Sequence, residues 1–483
     1  MPILQFRKGN EEMKRILAMT IAVCMGAAML GSCGGSDDSS SSSKAEVKAA
    51  SAEINADEES TTGEDSGSGE PDAQPTDGED SEAPEEEPEE TPPTADEISA
   101  QLLAQYPAHE GAYDVKNGAD ENMLGRAILN RGDTSRLAQK IDHAVNNPKE
   151  MTKICYLGDS ITAGSGASSS RNTYVSQVHT WWEENISFYI ESVNAGIGAT
   201  DSYTGVHRAS RDCLPEEADI IVIEFINDGD SPLYEDTMDS LLRMCLSQPN
   251  DPAVIVLEPS CEGGSSPQNA HFKSAQAYGV PVISYHNAVQ PEIQAGNFTW
   301  ADISPDNVHP NDSGHTIMAQ CVTSLFAQLL ADIESEEKTP TPFDPSTESV
   351  TGDIFANATL GTRNTPETVK VTDEGSFTES ASFQSFFTDG WGTTTGGSAT
   401  FEITARNIGI LFEKKPDGSN GTLAVKVDGG DAVLIDGSFP DGWGDWAKSE
   451  PIFTSDETAT HTVTVEVIDG DAQSFKILSW LVS

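Results

Sequence analysis

Positive charge is what this chain lacks most. Its 27 lysines and arginines stand against 79 aspartates and glutamates, a net charge of −52 over 483 residues. A nucleic-acid partner needs a basic surface to displace counterions, so that class of function is excluded. Cysteine is scarce as well: seven residues, with no CxxC pair and no metal-ligand spacing. That argues against a metal site or a disulfide scaffold. Cys155, Cys213, Cys245, Cys261 and Cys321 read mostly as small buried apolar residues, and one of these five must stay unpaired in a monomer. Beyond residue 30 no apolar run is long enough to span a bilayer.

The one apolar run sits near the start. Met13-Lys14-Arg15 precedes an apolar stretch from Ile16 to Leu30, followed by Leu30-Gly31-Ser32-Cys33. A basic start, a short apolar core and small exit residues describe a secretory signal over residues 1–32. Residues 1–12 add nothing to it, so Met13 is an alternative start. The closing tetrapeptide resembles a bacterial lipobox. The resemblance implies acylation of Cys33, attachment to the membrane through that lipid, and an extracellular location. Residues 33–95 follow as an acidic linker. Between Asp37 and Glu97 there are 22 acidic residues against Lys44 and Lys48, amid Ser, Gly, Pro and Thr. Such a segment cannot bury enough apolar surface to offset its ordering entropy, and it reads as a disordered stalk.

Four regions follow. Residues 96–150 read as a helical extension packing on the next domain, with Thr134 capping a helix whose Leu137, Ile141 and Val145 recur every four residues. Over 151–335 strands and helices alternate. Apolar strand-like runs appear at Ile154–Leu157, Tyr189–Val193, Ile220–Phe225, Ala253–Leu257 and Val280–Tyr285, and continuous Val/Ile runs suit strands buried on both faces. This predicts an α/β domain with a parallel sheet between helix layers. Pro340, Pro342 and Pro345 mark a linker at 336–349. Residues 350–483 alternate apolar and polar positions between Gly/Asp turns, predicting an all-β sandwich. The tetrapeptide Asp-Gly-Trp-Gly occurs twice there, at 389–392 and 441–444.

Chemistry concentrates in four short blocks at the ends of the α/β strands. The first run enters Gly158-Asp159-Ser160, which places one serine at a strand end with its backbone N–H at a helix start, where the dipole favours negative charge. The second leads to Gly196-Ile197-Gly198-Ala199-Thr200, and the third to Phe225-Ile226-Asn227-Asp228. The domain closes with Asp306-Asn307-Val308-His309. A nucleophile, a base and an orienting carboxylate are thereby available. His207, His271, His286 and His315 read as satisfying local hydrogen bonds, with His271 a lesser candidate for a substrate role.

With these blocks in this order, residues 151–330 resemble the SGNH (GDSL-type) hydrolase superfamily, with its four blocks represented by Ser160, Gly198, Asn227 and His309. The resemblance implies a flavodoxin-like three-layer domain and a carboxylic ester hydrolase. It implies attack by Ser160, proton transfer by His309 oriented by Asp306, and an oxyanion hole made by the N–H of Ser160, the N–H of Gly198 and the amide of Asn227. No cofactor or metal is implied. Phe225 stands where the family usually has glycine, and Gly196 competes with Gly198 for the second block. The all-β region resembles the jelly-roll accessory domains of carbohydrate esterases, with Trp391, Trp443 and Trp446 as candidate sugar-stacking residues.

Export on a stalk and small polar residues around the site (Ser165, Ser168, Thr200, Asp201) point to an acylated polysaccharide or oligosaccharide as substrate, with O-acetyl the expected ester. A lysophospholipase or general short-chain esterase is the alternative enzyme. A glycan-binding surface lipoprotein is the alternative without catalysis.

Overall fold

The computed structural model describes residues 92–468 and 474–483. The secretory signal, Cys33, the alternative start and nearly all of the acidic stalk lie outside the described residues.

The N-terminal extension comprises α1 (Ala95–Gln105), α2 (Glu121–Ala127), β1 (Ile128–Asn130) and α3 (Ser135–Asn146). A capping box between Thr94 and Glu97 starts α1. Arg126, at the end of α2, is buried; it donates to the carbonyls of Asn287 and Ala288 and pairs with the buried Glu292. A buried guanidinium must be matched by acceptors in this way, and the match ties the extension to the helix that carries Glu292. Two local expectations for α3 need correction. Thr134 makes no side-chain cap bond; Asp133 accepts the Ser135 N–H at 2.9 Å. Leu137 and Ile141 are buried but Val145 is 39% exposed. A strict four-residue spacing drifts off a 3.6-residue face, and Ala138 and Ala144 complete the buried stripe.

The α/β domain continues as β2 (Thr152–Gly158), α4 (Ser160–Ala163), α5 (Tyr174–Asn185), β3 (Ile190–Gly196), α6 (Ser202–Asp212) and β4 (Ile220–Glu224). It is completed by α7 (Pro232–Leu246), β5 (Ala253–Glu258), α8 (Gln268–Ala277), β6 (Val282–Ser284), α9 (Tyr285–Gln294), α10 (Trp300–Ile303) and α11 (Asp312–Ala331). The sheet order is β1-β6-β5-β4-β2-β3. Strands β2 to β6 run parallel, and β1 from the extension adds antiparallel at the β6 edge. The strands of 151–335 are parallel as expected, and the sheet is mixed because the extension, expected to be helical, contributes β1. Both faces are covered: β2, β4 and β5 send residues into one apolar cluster with α3, α5 and α11, and into a second with α6, α7 and α8.

The C-terminal region is all-β: β7 (Thr359–Gly361), β8 (Val369–Asp373), β9 (Glu379–Phe383), β10 (Phe387–Thr393), β11 (Gly397–Lys414), β12 (Thr422–Val427), β13 (Val433–Asp436), β14 (Trp446–Val467) and β15 (Phe475–Val482). These strands form one continuous antiparallel network of nine. Alternate residues of the long β11 and β14 enter a core with Trp391, Trp480 and Phe475.

This region is fused to the helices of the α/β domain. Phe355, Phe387, Leu411, Ala447, Leu478 and Leu481 belong to the same apolar cluster as Tyr203 and Val206 of α6 and Leu241 of α7. The segment expected as a linker is a strap. Arg136 donates to the Thr341 carbonyl, Arg243 to those of Pro345 and Thr347, and Ser349 to Asp239.

Candidate active site

The C-terminal ends of β2, β3 and β4 meet the loop between α10 and α11 at one point. Ser160 follows β2 after a single residue, Asp159. The helix expected behind it is a single turn that ends at Gly164 in the left-handed region, φ +100°. A dipole summed over one turn is small, so individual N–H groups carry the electrostatics here.

Three side chains stand in series. The Ser160 hydroxyl lies 2.9 Å from His309 Nε2, and His309 Nδ1 lies 2.8 Å from Asp306 Oδ2. The other Asp306 oxygen accepts the backbone N–H of Val308 at 2.9 Å and of His309 at 2.7 Å. Partial burial works against the Asp306 charge, but these donors hold its carboxyl below the usual carboxylate range. The loop is itself pinned, since the Trp300 indole N–H donates to the Asp306 carbonyl at 2.7 Å.

Gly198 approaches Ser160 closely: a Cβ built on it would sit 3.8 Å from Ser160 Cβ. Among the described residues, neither the Ser160 N–H nor the Gly198 N–H has an acceptor. Asn227 is brought to the same corner, but both hydrogens of its amide are engaged. Nδ2 donates to Asp159 Oδ2 and to the Thr200 carbonyl, each at 2.9 Å. Phe225 is buried and points at α6, where a Cβ on Gly205 would lie 2.4 Å from its ring. A glycine missing from the third block is thus answered by a glycine on the helix behind it.

Sequence reasoning missed the residues that bind the blocks together. Asp159, fully buried, accepts the N–H of Ile161 at 3.0 Å and of Ile226 at 2.7 Å, besides the Asn227 amide, so it ties the first block to the third. Glu224 accepts from the Thr162 N–H and hydroxyl and from the same Ile226 N–H. Burial pushes the Asp159 carboxyl up to about 7, against the pull of its N–H donors. Burial and the Asp159 charge hold Glu224 well above the carboxylate range. Burial and mutual repulsion thus oppose the charge on both carboxyls. Arg208, also buried, donates to the carbonyls of Gly158 and Ala195 and so caps two strand ends. The signals were an acid ending an otherwise apolar run, Ile-Ile-Val-Ile-Glu, and a lone arginine inside an apolar helix face.

His271 is buried between Asp228, 2.9 Å from Nε2, and Glu258, 3.2 Å from Nδ1. Burial opposes its charge, but the two carboxylates outweigh that and push it up to about 10. At 1% exposure it cannot reach a substrate. Instead it steadies Asp228, whose other oxygen accepts the Ser202 N–H at the start of α6. Thr200 and Asp201, expected to line the cleft, are likewise spent: Thr200 is buried, and Asp201 caps Thr204 while accepting from Ser449 of β14.

The tryptophans separate. Trp391 is fully buried against Phe401, with Arg363 over its ring, so it presents no face to a sugar. Trp443 is 63% exposed and packs with Phe439 and Trp446. Trp446 is half-buried; Lys448 lies over its ring, and its indole N–H donates to the Ala199 carbonyl at 2.9 Å. The two Asp-Gly-Trp-Gly copies share a left-handed aspartate, Asp389 and Asp441, but only the first is inserted into a sheet. A cavity of about 310 Å³ opens beside the site; it reaches Asn227's neighbours Ile226 and Asp228 and is otherwise lined largely by polar residues such as Asp230, Ser265 and Asn269.

A doubly covered α/β sheet carries Ser160, His309 and Asp306 in series at its C-terminal edge. Residues 156–317 match the GDSL-like Lipase/Acylhydrolase family, and the chain carries a domain of that family and is a carboxylic ester hydrolase. No curated protein matches the chain. Among solved structures it is similar to a two-domain esterase (CEX) active on acetylated mannans. With the mannopentaose co-crystal the identity is 29%, covering 74% of this chain and 97% of that one, at a TM-score of 0.66. A second crystal structure of that description gives 29%, 74%, 98% and 0.67.

Proposed function

We propose that this chain is a carbohydrate esterase that removes O-acetyl groups from mannan or a related polysaccharide by a Ser-His-Asp mechanism. The series Asp306–His309–Ser160, beside two N–H groups without acceptors, is the observation that carries the reading. Asp306 accepts the proton on Nδ1 and so leaves the Nε2 lone pair for the Ser160 hydroxyl. As Oγ attacks the acetyl carbonyl, its proton passes to Nε2. The carbonyl electron pair moves onto oxygen, where the N–H groups of Ser160 and Gly198 receive it. The Asn227 amide joins them by sharing the hydrogen now directed at Thr200. Collapse expels the sugar alkoxide, which takes the proton from His309 and leaves an acetyl ester on Ser160. Water then attacks the acetyl carbonyl, giving its proton to His309, which returns it to Ser160 Oγ as the acyl bond breaks and acetate leaves.

Two features support a glycan over a lipid. The cavity beside the site is polar where an acyl chain needs apolar walls. The exposed Trp443 packs against Trp446, whose indole N–H donates to Ala199 in the loop that carries Gly198, and an exposed indole suits stacking on a sugar. Likeness over both regions to an esterase active on acetylated mannans favours mannan among glycans. Acetate release from acetylated mannan by wild type, set against Ser160→Ala, tests the reading. Equal release by both proteins ends it, and turnover that rises with acyl length on p-nitrophenyl esters moves it to the lipid class.

The setting belongs to the same proposal. The signal and the cysteine after Leu30-Gly31-Ser32 support a lipid on Cys33, with the acidic segment holding the enzyme off the membrane. Cys33→Ser is expected to move the enzyme from the membrane fraction to the medium; unchanged membrane retention would count against the lipid.

A further inference from the structure

The loop that presents Gly198 is held from two domains. On the hydrolase side, the Thr200 hydroxyl donates to the Ile197 carbonyl at 2.7 Å and the Thr200 carbonyl accepts from Asn227. On the other side, β14 supplies the Trp446 indole N–H to the Ala199 carbonyl at 2.9 Å. It also supplies the Ser449 hydroxyl, 3.1 Å from both oxygens of Asp201. Between these anchors Ala199 sits at φ +58°, in the left-handed region that a residue with a Cβ disfavours. Nothing in the local sequence asks for that conformation. A bond to its carbonyl from outside the loop is what a residue so placed needs in order to stay there.

We propose that Trp446 is a positioning residue for ester hydrolysis: its indole N–H, reaching over from the C-terminal domain, holds Ala199 left-handed and thereby aims the Gly198 N–H at the oxyanion. This rests on the reading of Gly198 as an oxyanion donor. The C-terminal domain then does more than bind substrate; it completes the apparatus in which the charge is stabilised. The shared apolar core makes this mechanically sound, because Ala447, next to Trp446, is buried in the cluster that contains Tyr203 and Val206 of α6. Helix α6 begins at Ser202, three residues after Ala199. Domain and loop therefore cannot shift independently by much. The ring has its own support from Phe439, Trp443 and Lys448, so the N–H bond can be removed without removing the packing.

Trp446→Phe does that, and p-nitrophenyl acetate, which carries no sugar, separates positioning from glycan binding. The expected result is a kcat lower by about tenfold, since a misaimed donor loses part of the 10²–10³ that a whole one provides. KM and the melting temperature stay near wild type. In the Trp446→Phe background Ala199→Gly is expected to restore most of the lost kcat, because glycine adopts the left-handed conformation without help. Ser449→Ala, which removes the second tether and leaves the rings alone, is expected to lower kcat in the same sense by a smaller factor; should Trp446→Phe fail to fold, this variant with and without Ala199→Gly gives the answer. An unchanged kcat in the tested tether variant overturns the inference. So does a loss that Ala199→Gly leaves unrestored and that follows a fall in melting temperature. Ser160→Ala runs alongside: if it still turns over, the reading of the site falls, whereas full activity of Trp446→Phe beside an inert Ser160→Ala removes only the positioning role.

Discussion

Replacing Asp306 by asparagine isolates the electrostatic part of the site from its scaffolding. Asp306 makes three bonds: one oxygen holds the N–H groups of Val308 and His309, and the other faces His309 Nδ1. Asparagine keeps the first set through its carbonyl oxygen, so the turn that presents His309 survives. Opposite Nδ1 it puts an amide donor where an acceptor stood. The imidazole answers by moving its proton to Nε2, and the serine then faces an N–H instead of a lone pair. A triad with the wrong tautomer loses about 10³–10⁴ in kcat. At 1.36 kcal/mol per factor of ten that is about 4–5 kcal/mol of transition-state stabilisation. The stability cost is far smaller. One bond to an ionised group at a half-exposed position is lost, about 1 kcal/mol, or a few degrees in melting temperature. Steady-state kinetics on p-nitrophenyl acetate, with a thermal melt of the same preparations, measure both. A kcat within about tenfold of wild type would refute the relay. A melting temperature lowered by tens of degrees would show that the substitution tested folding instead.

Further outcomes follow from the geometry. A Cβ on Gly196 would lie 2.3 Å from the Ala163 backbone nitrogen, so Gly196→Ala is expected to destabilise the domain by about 1–3 kcal/mol. Gly198→Ala meets nothing nearer than 3.8 Å and should melt like wild type, with any defect confined to kcat; equal melting temperatures for the two variants would contradict the packing. His271 is pushed up to about 10, above its ordinary value, so its stabilisation is complete below about pH 6.5 and is lost as pH rises through about 10. The melting-temperature gap between wild type and His271→Gln should accordingly be widest in mild acid and narrow toward pH 10; a gap that widens with pH would reverse the sign. Trp443→Ala should raise KM for acetylated mannan while leaving p-nitrophenyl acetate kinetics unchanged, and no change on either substrate would remove the sugar-stacking role.

Much of the α/β domain was readable because β2, β4 and β5 are largely apolar runs, the first leading into Gly-Asp-Ser and the second toward Asn-Asp, whereas β3 at the sheet edge is interrupted by Glu191, Ser192 and Asn194 and is mostly half-buried. Burial on both faces leaves that mark in any chain. Strand β1 left none: Ile128-Leu129-Asn130 is three residues at the end of a helix, and only the exposed edge of β6 makes it a strand. Ser160, Gly198, Asn227, Asp306 and His309 could be picked out by type and position. Asp159 could not be assigned, since its work is done mostly by three bonds to Ile226 and Asn227, far along the chain. The three tryptophans looked alike in sequence, and alternation cannot say which side of a twisted strand faces a core until its partners are known. For Trp391 the partner is Phe401, which itself packs on Trp480. The join between the two regions was invisible for the same reason: Leu411, Leu478 and Leu481 read as ordinary β-core residues, and they face α6 and α7.

An acyl-enzyme on Ser160 is the species on which the whole reading turns. Rapid acid quench during turnover of p-nitrophenyl acetate, followed by mass spectrometry of the peptide carrying residue 160, looks for it directly. The expected result is one acetyl group on that peptide in wild type, absent from Ser160→Ala, which is also inactive. Turnover that continues in Ser160→Ala, with no acetyl on the wild-type peptide at any quench time, would contradict the account.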